Sequence, residues 1–214
     1  MTATRSRSAR LHIVGAGGLG RETLDAAFAC GHRPSGLVLV DDHVSLTELH
    51  GVPVRRPEES ADGWYVVAVA DPAVRRSLSE RMLGRGLIPS VVVHPTATVA
   101  HDVSVAGGCI VLANTYVATG SHVAAHTQVQ YNATVGHDSV LHDYVTVLPG
   151  ANVAGRVVLH GDVTVGSNAC VLPGLVIGAG TYIGAGAVVT GNLPARRVAK
   201  GVPARMHPPA GGKV

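Results

Sequence analysis

The sequence has few aromatic residues and few charged ones. Only 3% of its 214 residues are aromatic and 14% are charged, whereas 46% are hydrophobic and 27 are glycines. Because it contains a single Phe and a single Trp, a hydrophobic core has to come from Val, Ile, Leu and Ala. That composition favours repeated, closely packed layers of backbone over a globule built around large rings.

Cysteines and long apolar runs are also scarce. Cys30, Cys109 and Cys170 are widely spaced and form no C-x-x-C motif, which disfavours both a zinc knuckle and a disulfide framework. No spacing of histidines and carboxylates predicts a metal cluster. Apolar runs stay below the roughly 18 residues of a membrane span, and the N-terminus lacks the apolar segment of a signal peptide. We therefore expect a protein of the reducing cytoplasm, with no metal and no membrane partner.

The net charge of +3 is small, and much of it lies at the N-terminus. Residues 1–10, MTATRSRSAR, predict a disordered tail. A nucleic-acid-binding arm would have a longer basic run with interleaved aromatic residues. No nucleic-acid partner is expected.

A six-residue repeat fills the second half of the chain, because every sixth residue from 93 to 189 is Val, Leu or Ile. A period of six differs from the 3.6 of a helix and the 2 of a flat strand, and it fits one short strand and one turn per repeat. Stacked coils place equivalent side chains in columns that form the core. The repeat predicts a parallel β-helix over 93–192. A C-terminal tail over 193–214 is expected to follow, with Pro194 and Pro203 interrupting regular structure. The seventeen repeat positions are Val93, Val99, Val105, Val111, Val117, Val123, Val129, Val135, Leu141, Val147, Val153, Leu159, Val165, Val171, Ile177, Ile183 and Val189.

The part of the chain before the repeat alternates between strand and helix patterns. Strands are predicted at 11–14, 37–40, 65–70 and 90–93, and helices at 21–30 and 72–83. This alternation predicts a parallel sheet with helices packed on it, which is a Rossmann-like α/β domain over 11–92.

A glycine turn joins the first strand to the first helix. Gly15, Gly17 and Gly20 match G-x-G-x-x-G, and Asp41 ends the next strand, as in a dinucleotide fingerprint. Glycines let backbone N–H groups approach a phosphate at a helix N-terminus, and the Asp41 carboxylate could accept hydrogen bonds from a ribose or a base. The domain has room for only one mononucleotide half. A nucleotide or nucleotide-sugar is therefore favoured over NAD, and a turn that only packs helix on strand is the remaining alternative.

The repeat carries histidines that a scaffold does not need. The chain has 12 histidines, and most of them, such as His101, His122, His126 and His160, are expected at solvated surface positions. His137 falls just after a predicted strand, at a corner of the coil, with Asp138 beside it. A carboxylate there could hold the imidazole in one tautomer and stabilise it once protonated, which are the needs of a general base. His142 with Asp143 is a second candidate of the same kind.

The two halves together resemble the bacterial sugar acyltransferases of the PglD/NeuD type, which include nucleotide-sugar N-acetyltransferases and sialic-acid O-acetyltransferases. The resemblance extends from Leu11 to Arg205. The stretches that carry it are IVGAGGLGRE, LVLVDD, VAVADPAVRRSL, VVVHPTATVA, NATVGHDSVLHDYVTVLPGANVAG, VTVGSNACVLPGLVIGAGTYIGAGAVVTGNLP and KGVPAR.

The resemblance implies a left-handed β-helix, a homotrimer with active sites between adjacent β-helices, and acetyl-CoA as co-substrate. It implies that His137 is the base and Asp138 its orienting acid. Acetyl-CoA contacts are implied at Gly155, Ser167 and Ala185, and nucleotide contacts at Gly17, Gly18, Leu19, Asp41 and Asp42. Many relatives carry a second histidine near the acetyl carbonyl where Thr146 stands here, so the Thr146 hydroxyl is expected to donate a hydrogen bond there. Many also carry histidine in the glycine turn where Leu19 stands.

The expected function is an acetyl-CoA-dependent N-acetyltransferase that acts on the amine of a UDP- or dTDP-linked 4-amino-sugar by direct transfer. One alternative keeps the fold and the base but acetylates a hydroxyl of a sialic-acid-like or antibiotic sugar. Another is a non-catalytic β-helix that only binds or assembles.

Overall fold

The computed structural model describes residues 10–43 and 45–207. Its N-terminal domain contains the helices α1 (Gly18–Ala29) and α2 (Pro72–Gly84), and the short 3-10 turns Pro34–Gly36 and Pro57–Glu59. Its six strands are β1 (Leu11–Val14), β2 (Leu37–Val40), β3 (Glu48–Leu49), β4 (Val52–Arg55), β5 (Trp64–Val67) and β6 (Ile88–Pro89).

These strands form one sheet in the order β3-β4-β2-β1-β5-β6, parallel throughout except for the β3–β4 pair. All residues of β1 and β2 are buried, because a parallel sheet is covered on both faces; their continuous apolar runs reflect this. Asp71 is the N-cap of helix α2: its carboxylate accepts hydrogen bonds from the N–H groups of Ala73 and Val74, and Pro72 is the first helical residue.

The predicted elements of this domain correspond closely to the observed ones. The strands predicted at 11–14 and 37–40 have the observed bounds. Helix α1 begins at Gly18, three residues before the predicted start, because the glycine turn is itself the first helical turn. The strand predicted at 90–93 is wrong as one element: Ile88–Pro89 belongs to the sheet, whereas Val92–Val93 belongs to the β-helix. The pair β3 and β4 was not predicted, since Pro53 within VPVR argues against a strand.

The rest of the chain is a parallel β-helix of two-residue strands spaced six residues apart. The first face contains β7 (Val92–Val93), β10 (Ile110–Val111), β13 (Gln128–Val129), β16 (Thr146–Val147), β19 (Thr164–Val165) and β22 (Tyr182–Ile183). The second face contains β8 (Thr98–Val99), β11 (Tyr116–Val117), β14 (Thr134–Val135), β17 (Asn152–Val153), β20 (Cys170–Val171) and β23 (Val188–Val189). The third face contains β9 (Ser104–Val105), β12 (His122–Val123), β15 (Val140–Leu141), β18 (Val158–Leu159) and β21 (Val176–Ile177).

The repeat positions form the core of the β-helix, as predicted. From Val111 to Val189 every one of them is buried, and those of the first coil, such as Val99 and Val105, are half-buried because the stack ends there. Together with the parallel pairing on three faces, this confirms the predicted fold class, an α/β Rossmann-like domain followed by a left-handed parallel β-helix.

From Gly108 to Gly186, each corner of the β-helix has one residue with positive φ, three places after the inward aliphatic residue. Glycine or asparagine occupies many of these positions, such as Gly120 and Asn132, because both tolerate the left-handed conformation. Asp138 has φ +56° for the same reason. Its conformation therefore belongs to the repeat and is not a special strain at this residue.

The segment predicted as a C-terminal tail contains two strands. β24 (Val198–Lys200) continues the first face in parallel with β22, and β25 (Arg205–His207) pairs with β24 in antiparallel fashion. The expectation that the prolines exclude regular structure is therefore wrong here, because Pro194 and Pro203 lie outside these strands. Residues 208–214, and residues 1–9 of the predicted N-terminal tail, lie outside the described residues.

The N-terminal domain packs on the first face of the β-helix. Val92, Ile110 and Leu112 share one apolar cluster with Leu24 and Ala27 of α1. This shared core fixes the sheet of the N-terminal domain beside the coils that carry the histidines.

Candidate active site

The four glycines of the turn between β1 and α1 fall into two pairs. A Cβ on Gly20 would lie 2.0 Å from the Gly15 carbonyl oxygen, and one on Gly15, at φ +103°, would lie 2.9 Å from the Ala68 oxygen. Gly15 and Gly20 are therefore required for the turn and its packing. Gly17 and Gly18 face open space, so the first N–H groups of α1, which have no acceptor within the helix, are accessible to a ligand.

Leu19, also predicted to bind the nucleotide, directs its side chain elsewhere. It is half-buried and packs against the apolar cluster that contains Leu24. A nucleotide contact from Leu19 would therefore come from its backbone rather than from its side chain.

Two aspartates lie at the carboxyl end of β2. Asp41 accepts hydrogen bonds from the N–H of Ala16 at 2.8 Å and the N–H of His43 at 2.7 Å, so its carboxylate ties the glycine turn to the neighbouring strand. Asp42 accepts a hydrogen bond from Arg81 of α2 at 2.6 Å. These bonds hold both carboxylates at the sheet edge where the turn opens.

A cleft of about 170 Å³ opens at this edge, lined among others by Gly15, Asp41, Asp42 and Val69. A second, more polar cavity of about 300 Å³ shares Asp41 with it and includes Arg55. Ligands of open parallel sheets bind outside the carboxyl ends of the strands, at the point where the strand order reverses. Of the predicted nucleotide contacts, Asp41 and Asp42 line this cleft, and Gly17 and Gly18 follow its Gly15 edge along the chain.

His137 and Asp138 lie together on the corner that follows the second face. The Nδ1 atom of His137 lies 2.8 Å from the Asp138 carboxylate, and the two side chains are 51% and 61% exposed. With the proton on Nδ1 donated to the carboxylate, Nε2 keeps its lone pair and can accept a proton. The pair therefore has the geometry of an oriented general base.

Gly155 lies one coil below His137 on the same corner. A Cβ at Gly155 would lie 2.6 Å from Nε2 of His137 and 2.9 Å from its two neighbouring ring carbons. The imidazole thus rests directly on the backbone of the next coil, in a place that only glycine leaves open. The structure brings these two predicted residues together.

Ser167 and Ala185 lie on a different corner, the one that follows the first face. They are 18 residues apart, which is one coil, and are half-buried and exposed respectively. Within one chain the predicted acetyl-CoA contacts are therefore divided between two corners, Gly155 beside the base and Ser167 with Ala185 on the other.

Thr146 is not placed to touch a thioester. Its side chain is fully buried, donates a hydrogen bond to the Ala70 oxygen at 2.9 Å and accepts one from Arg75 at 3.0 Å. The expected contact with the acetyl carbonyl is therefore not supported, because the hydroxyl is used at the junction between the two domains.

His126, expected on the surface, is buried at the same junction. Its ring stacks on Tyr144 with centroids 4.9 Å apart, and its Nε2 lies 3.1 Å from the Ser79 hydroxyl oxygen. Burial, with a further contribution from the nearby Arg75 cation, lowers the pKa of His126 to about 4. A neutral imidazole at this position is part of the domain interface and was missed because the repeat alone does not show what covers a corner.

The other His–Asp candidate is not an oriented pair. His142 stacks on His160 with ring centroids 5.0 Å apart, and Asp143 accepts a hydrogen bond from the N–H of Ala125 at 3.0 Å. Within residues 10–43 and 45–207, no group of three metal-ligating side chains comes together. Neither helix of that part has the length and apolarity that a membrane span requires.

Comparisons with known proteins agree with this architecture. Residues 10–82 match the PglD N-terminal domain, and residues 156–191 match the bacterial transferase hexapeptide family of six repeats. The chain is 33% identical over 155 residues to GDP-perosamine N-acetyltransferase from Escherichia coli O157:H7. This match covers 68% of this chain and 70% of that protein.

Solved structures extend the similarity to nearly the whole chain. The acetyltransferase domain of PglB from Neisseria gonorrhoeae FA1090, in complex with acetyl coenzyme A, has a TM-score of 0.88 and 29% identity, covering 94% of this chain and all of that domain. A histidine-to-asparagine mutant of perosamine N-acetyltransferase from Caulobacter crescentus, in complex with CoA and GDP-perosamine, has a TM-score of 0.78 and 28% identity, covering 93% and 97%. The chain therefore belongs to the PglD/NeuD-type family of sugar acyltransferases and is an acetyl-CoA-dependent acyltransferase.

Proposed function

We propose that the protein transfers the acetyl group of acetyl-CoA to the amine of a nucleotide-linked amino sugar, with His137 as the general base. The observation that carries the proposal is the His137–Asp138 pair, because it presents Nε2 on an exposed corner with Nδ1 engaged by a carboxylate. The named relatives that act on amino sugars are N-acetyltransferases, which favours an amine over the hydroxyl of the O-acetyltransferase alternative. Membership of an enzyme family sets aside the non-catalytic alternative.

The chemistry is a direct transfer. The amine nitrogen attacks the thioester carbon, the nitrogen–carbon bond forms, and the carbon–sulfur bond breaks as the thiolate leaves. His137 takes the proton that the amine loses, Asp138 stabilises the imidazolium, and the proton passes to the departing sulfur. The N–H of Gly155, directly beneath the imidazole, is proposed to donate to the oxyanion of the tetrahedral intermediate.

The nucleotide is proposed to bind at the glycine turn. Its phosphates would accept hydrogen bonds from the open N–H groups after Gly17 and Gly18, with ribose and base in the two cavities that share Asp41. The family resemblance favours UDP or dTDP as the nucleotide of the sugar substrate. Two relatives, however, are described with GDP-perosamine. Guanine, uracil and thymine nucleotides therefore all belong in the assay.

A second copy of the chain is proposed to complete the site. Half of the His137 side chain is exposed in the single chain, whereas acyl transfer to an amine needs an oriented thioester in a site that excludes water. The predicted contacts Ser167 and Ala185 lie on another corner, so adjacent β-helices of a homotrimer could bring one subunit's base to another subunit's acetyl-CoA groove. The supply of acetyl-CoA fits a cytoplasmic reaction.

The test is thiol release from acetyl-CoA with a panel of UDP-, dTDP- and GDP-linked 4-amino-sugars, compared with free sialic acid and other free sugars. We expect one nucleotide-linked amine to be the best acceptor and His137→Asn to lower kcat/KM by about 10²–10⁴-fold. His101→Asn is the matched control, because His101 and Asp102 occupy the same repeat positions two coils earlier. Release with hydroxyl acceptors alone would favour O-acetylation. Activity of His137→Asn within a few-fold of the wild type would reject the assigned base.

A further inference from the structure

The loop that follows β5, residues 68–71, is held from outside its own sheet. Gln128 of β13 donates from its amide to the carbonyl oxygens of Val67 at 2.8 Å and Val69 at 3.2 Å. Thr146 of β16 donates to the Ala70 oxygen at 2.9 Å. Two fully buried polar side chains of the β-helix therefore satisfy carbonyl groups that lie at or beyond the end of the sheet ladder.

Arg75 of α2 completes this arrangement. One terminal nitrogen donates to the oxygens of Val69 and Ala70, both at 2.9 Å. Its Nε donates to the His126 oxygen at 2.9 Å, and its other terminal nitrogen donates to the Tyr144 oxygen. A single guanidinium thus joins the loop of the N-terminal domain to two coils of the β-helix.

Among the described residues, no carboxylate contacts the buried charge of Arg75. The side chain is 0% exposed, and the acceptors around it are backbone carbonyls and the Thr146 hydroxyl. Burial lowers the pKa of Arg75 to about 10, so the group remains a cation at neutral pH. Because a guanidinium donates in fixed, coplanar directions and an ammonium does not, Arg75 sets both the distance and the angle between loop and coils.

The same loop forms one wall of the proposed nucleotide site. Val69 lines the cleft at the sheet edge, and the Ala68 oxygen lies against Gly15, where a Cβ would approach to 2.9 Å. On its other side, the loop accepts a hydrogen bond from Thr146. Arg75 joins it to the corner of Tyr144, which is the next corner along the chain after His137. Any shift of the loop relative to the coils would therefore change where a bound nucleotide presents its sugar.

We propose that Arg75, supported by Gln128 and Thr146, is a positioning residue that holds the nucleotide-binding loop in register with the β-helix, so that a nucleotide-anchored amine reaches His137. This rests on the proposed function. Arg75 touches neither substrate nor the reacting atoms, so its effect should appear only when the acceptor is anchored through its nucleotide. A misplacement of about 1 Å can cost about 10²-fold in rate.

The test compares two acceptors in the full-length protein, the best nucleotide-linked 4-amino-sugar and the same amino sugar without its nucleotide. The measured quantity is the ratio of their kcat/KM values. We expect Arg75→Lys to lower this ratio by about 10- to 10²-fold while kcat/KM for the free sugar stays within about 3-fold of the wild type. Arg76→Lys is the matched control. Arg76 is the next residue of α2, its side chain is 41% exposed, and it pairs with Asp162 and lies over the Tyr144 ring rather than bonding to the loop. Lysine keeps the charge for both contacts, so the ratio should not change.

Equal losses on both acceptors, or no loss on either, would show that Arg75 only stabilises the fold and would overturn the proposal. If Arg75→Lys does not fold, Gln128→Met decides by the same ratio, since it is nearly isosteric and also removes a buried amide oxygen that has no partner. Wild-type protein that releases no thiol with any nucleotide-linked amine would overturn the proposed function and this role with it. If the wild type prefers the nucleotide-linked acceptor and the variant shows the same ratio of kcat/KM values as the wild type, only the positioning role would be overturned.

Discussion

The contact between Gly155 and His137 allows a sharp test of the assigned base. Adding a single methyl group, Gly155→Ala, would place Cβ 2.6 Å from Nε2, whereas ordinary contacts begin at about 3.4 Å. The obstructing atoms belong to the catalytic ring itself, so the imidazole has to move. Gly155 is not among the residues with positive φ, so alanine fits its backbone and the coil should remain folded.

The expected loss follows from that displacement. Relieving the contact requires the ring to retreat by roughly 1 Å, and a displacement of that size in a reacting group can cost about 10²-fold. We therefore expect kcat for the nucleotide-linked amine to fall by about 10²-fold, with a melting temperature close to that of the wild type. Gly191→Ala is the control, because a Cβ there meets open space. Retention of more than half of the wild-type kcat by Gly155→Ala would refute the geometry of the base.

Three further variants test other parts of the account. Asp138→Asn should lower kcat, measured by thiol release, by about 10- to 10²-fold, because an amide does not stabilise the imidazolium. An unchanged kcat would show that the carboxylate has no role in catalysis. Gly20→Ala should cost about 2–3 kcal/mol in urea unfolding, because its Cβ would lie 2.0 Å from the Gly15 oxygen; a neutral effect would contradict the packing of the turn. The pKa of His126 is lowered from 6.5 to about 4, so its protonation favours the unfolded chain. The contribution of neutral His126 to the free energy of unfolding should therefore be fully present above about pH 6.5. It should fall by about 2–3 kcal/mol as the pH decreases toward 4. His126→Asn, which suits the positive φ there, should reduce this dependence in urea titrations at pH 7 and 5, and an unaltered slope would exclude His126 as its source.

The fold of the β-helix could be predicted from the sequence because a short repeat determines how the whole stack of coils is packed. An aliphatic residue every six positions has to line a column once coils stack, and the observed strands and buried core follow it from Val111 to Val189. The short pieces β3, β24 and β25 were missed. These strands are only two or three residues long, so they leave no period in the local sequence. β3 and β25 pair with the adjacent strands β4 and β24, and β24 pairs with β22 of the β-helix.

The candidate site could be predicted only in part. His101–Asp102 and His137–Asp138 occupy equivalent repeat positions and look alike in the sequence. In the structure Asp102 accepts hydrogen bonds from Thr119 and from the N–H of Gly120 on the next coil, whereas Asp138 contacts its own histidine. The difference depends on neighbours 18 residues away, so adjacency in the sequence is not enough to identify an oriented pair.

The contacts between the two domains could not be predicted from sequence patterns. The six-residue period places Thr146 and His126 on a face and at a corner of the coil, but it does not show that α2 covers both. Arg75 illustrates the same limit, because an arginine in a helical stretch is usually solvated, and its burial follows from carbonyl groups that two domains contribute together.

The most direct test of the central claim is the structure of a complex of the full-length protein with CoA and a nucleotide-linked 4-amino-sugar. We predict that the amine nitrogen of the sugar lies about 3 Å from Nε2 of His137, at a seam between two β-helices, with the nucleotide at the Gly17–Gly18 turn. A sugar amine far from His137, or a His137 side chain facing bulk solvent with the nucleotide bound, would contradict it.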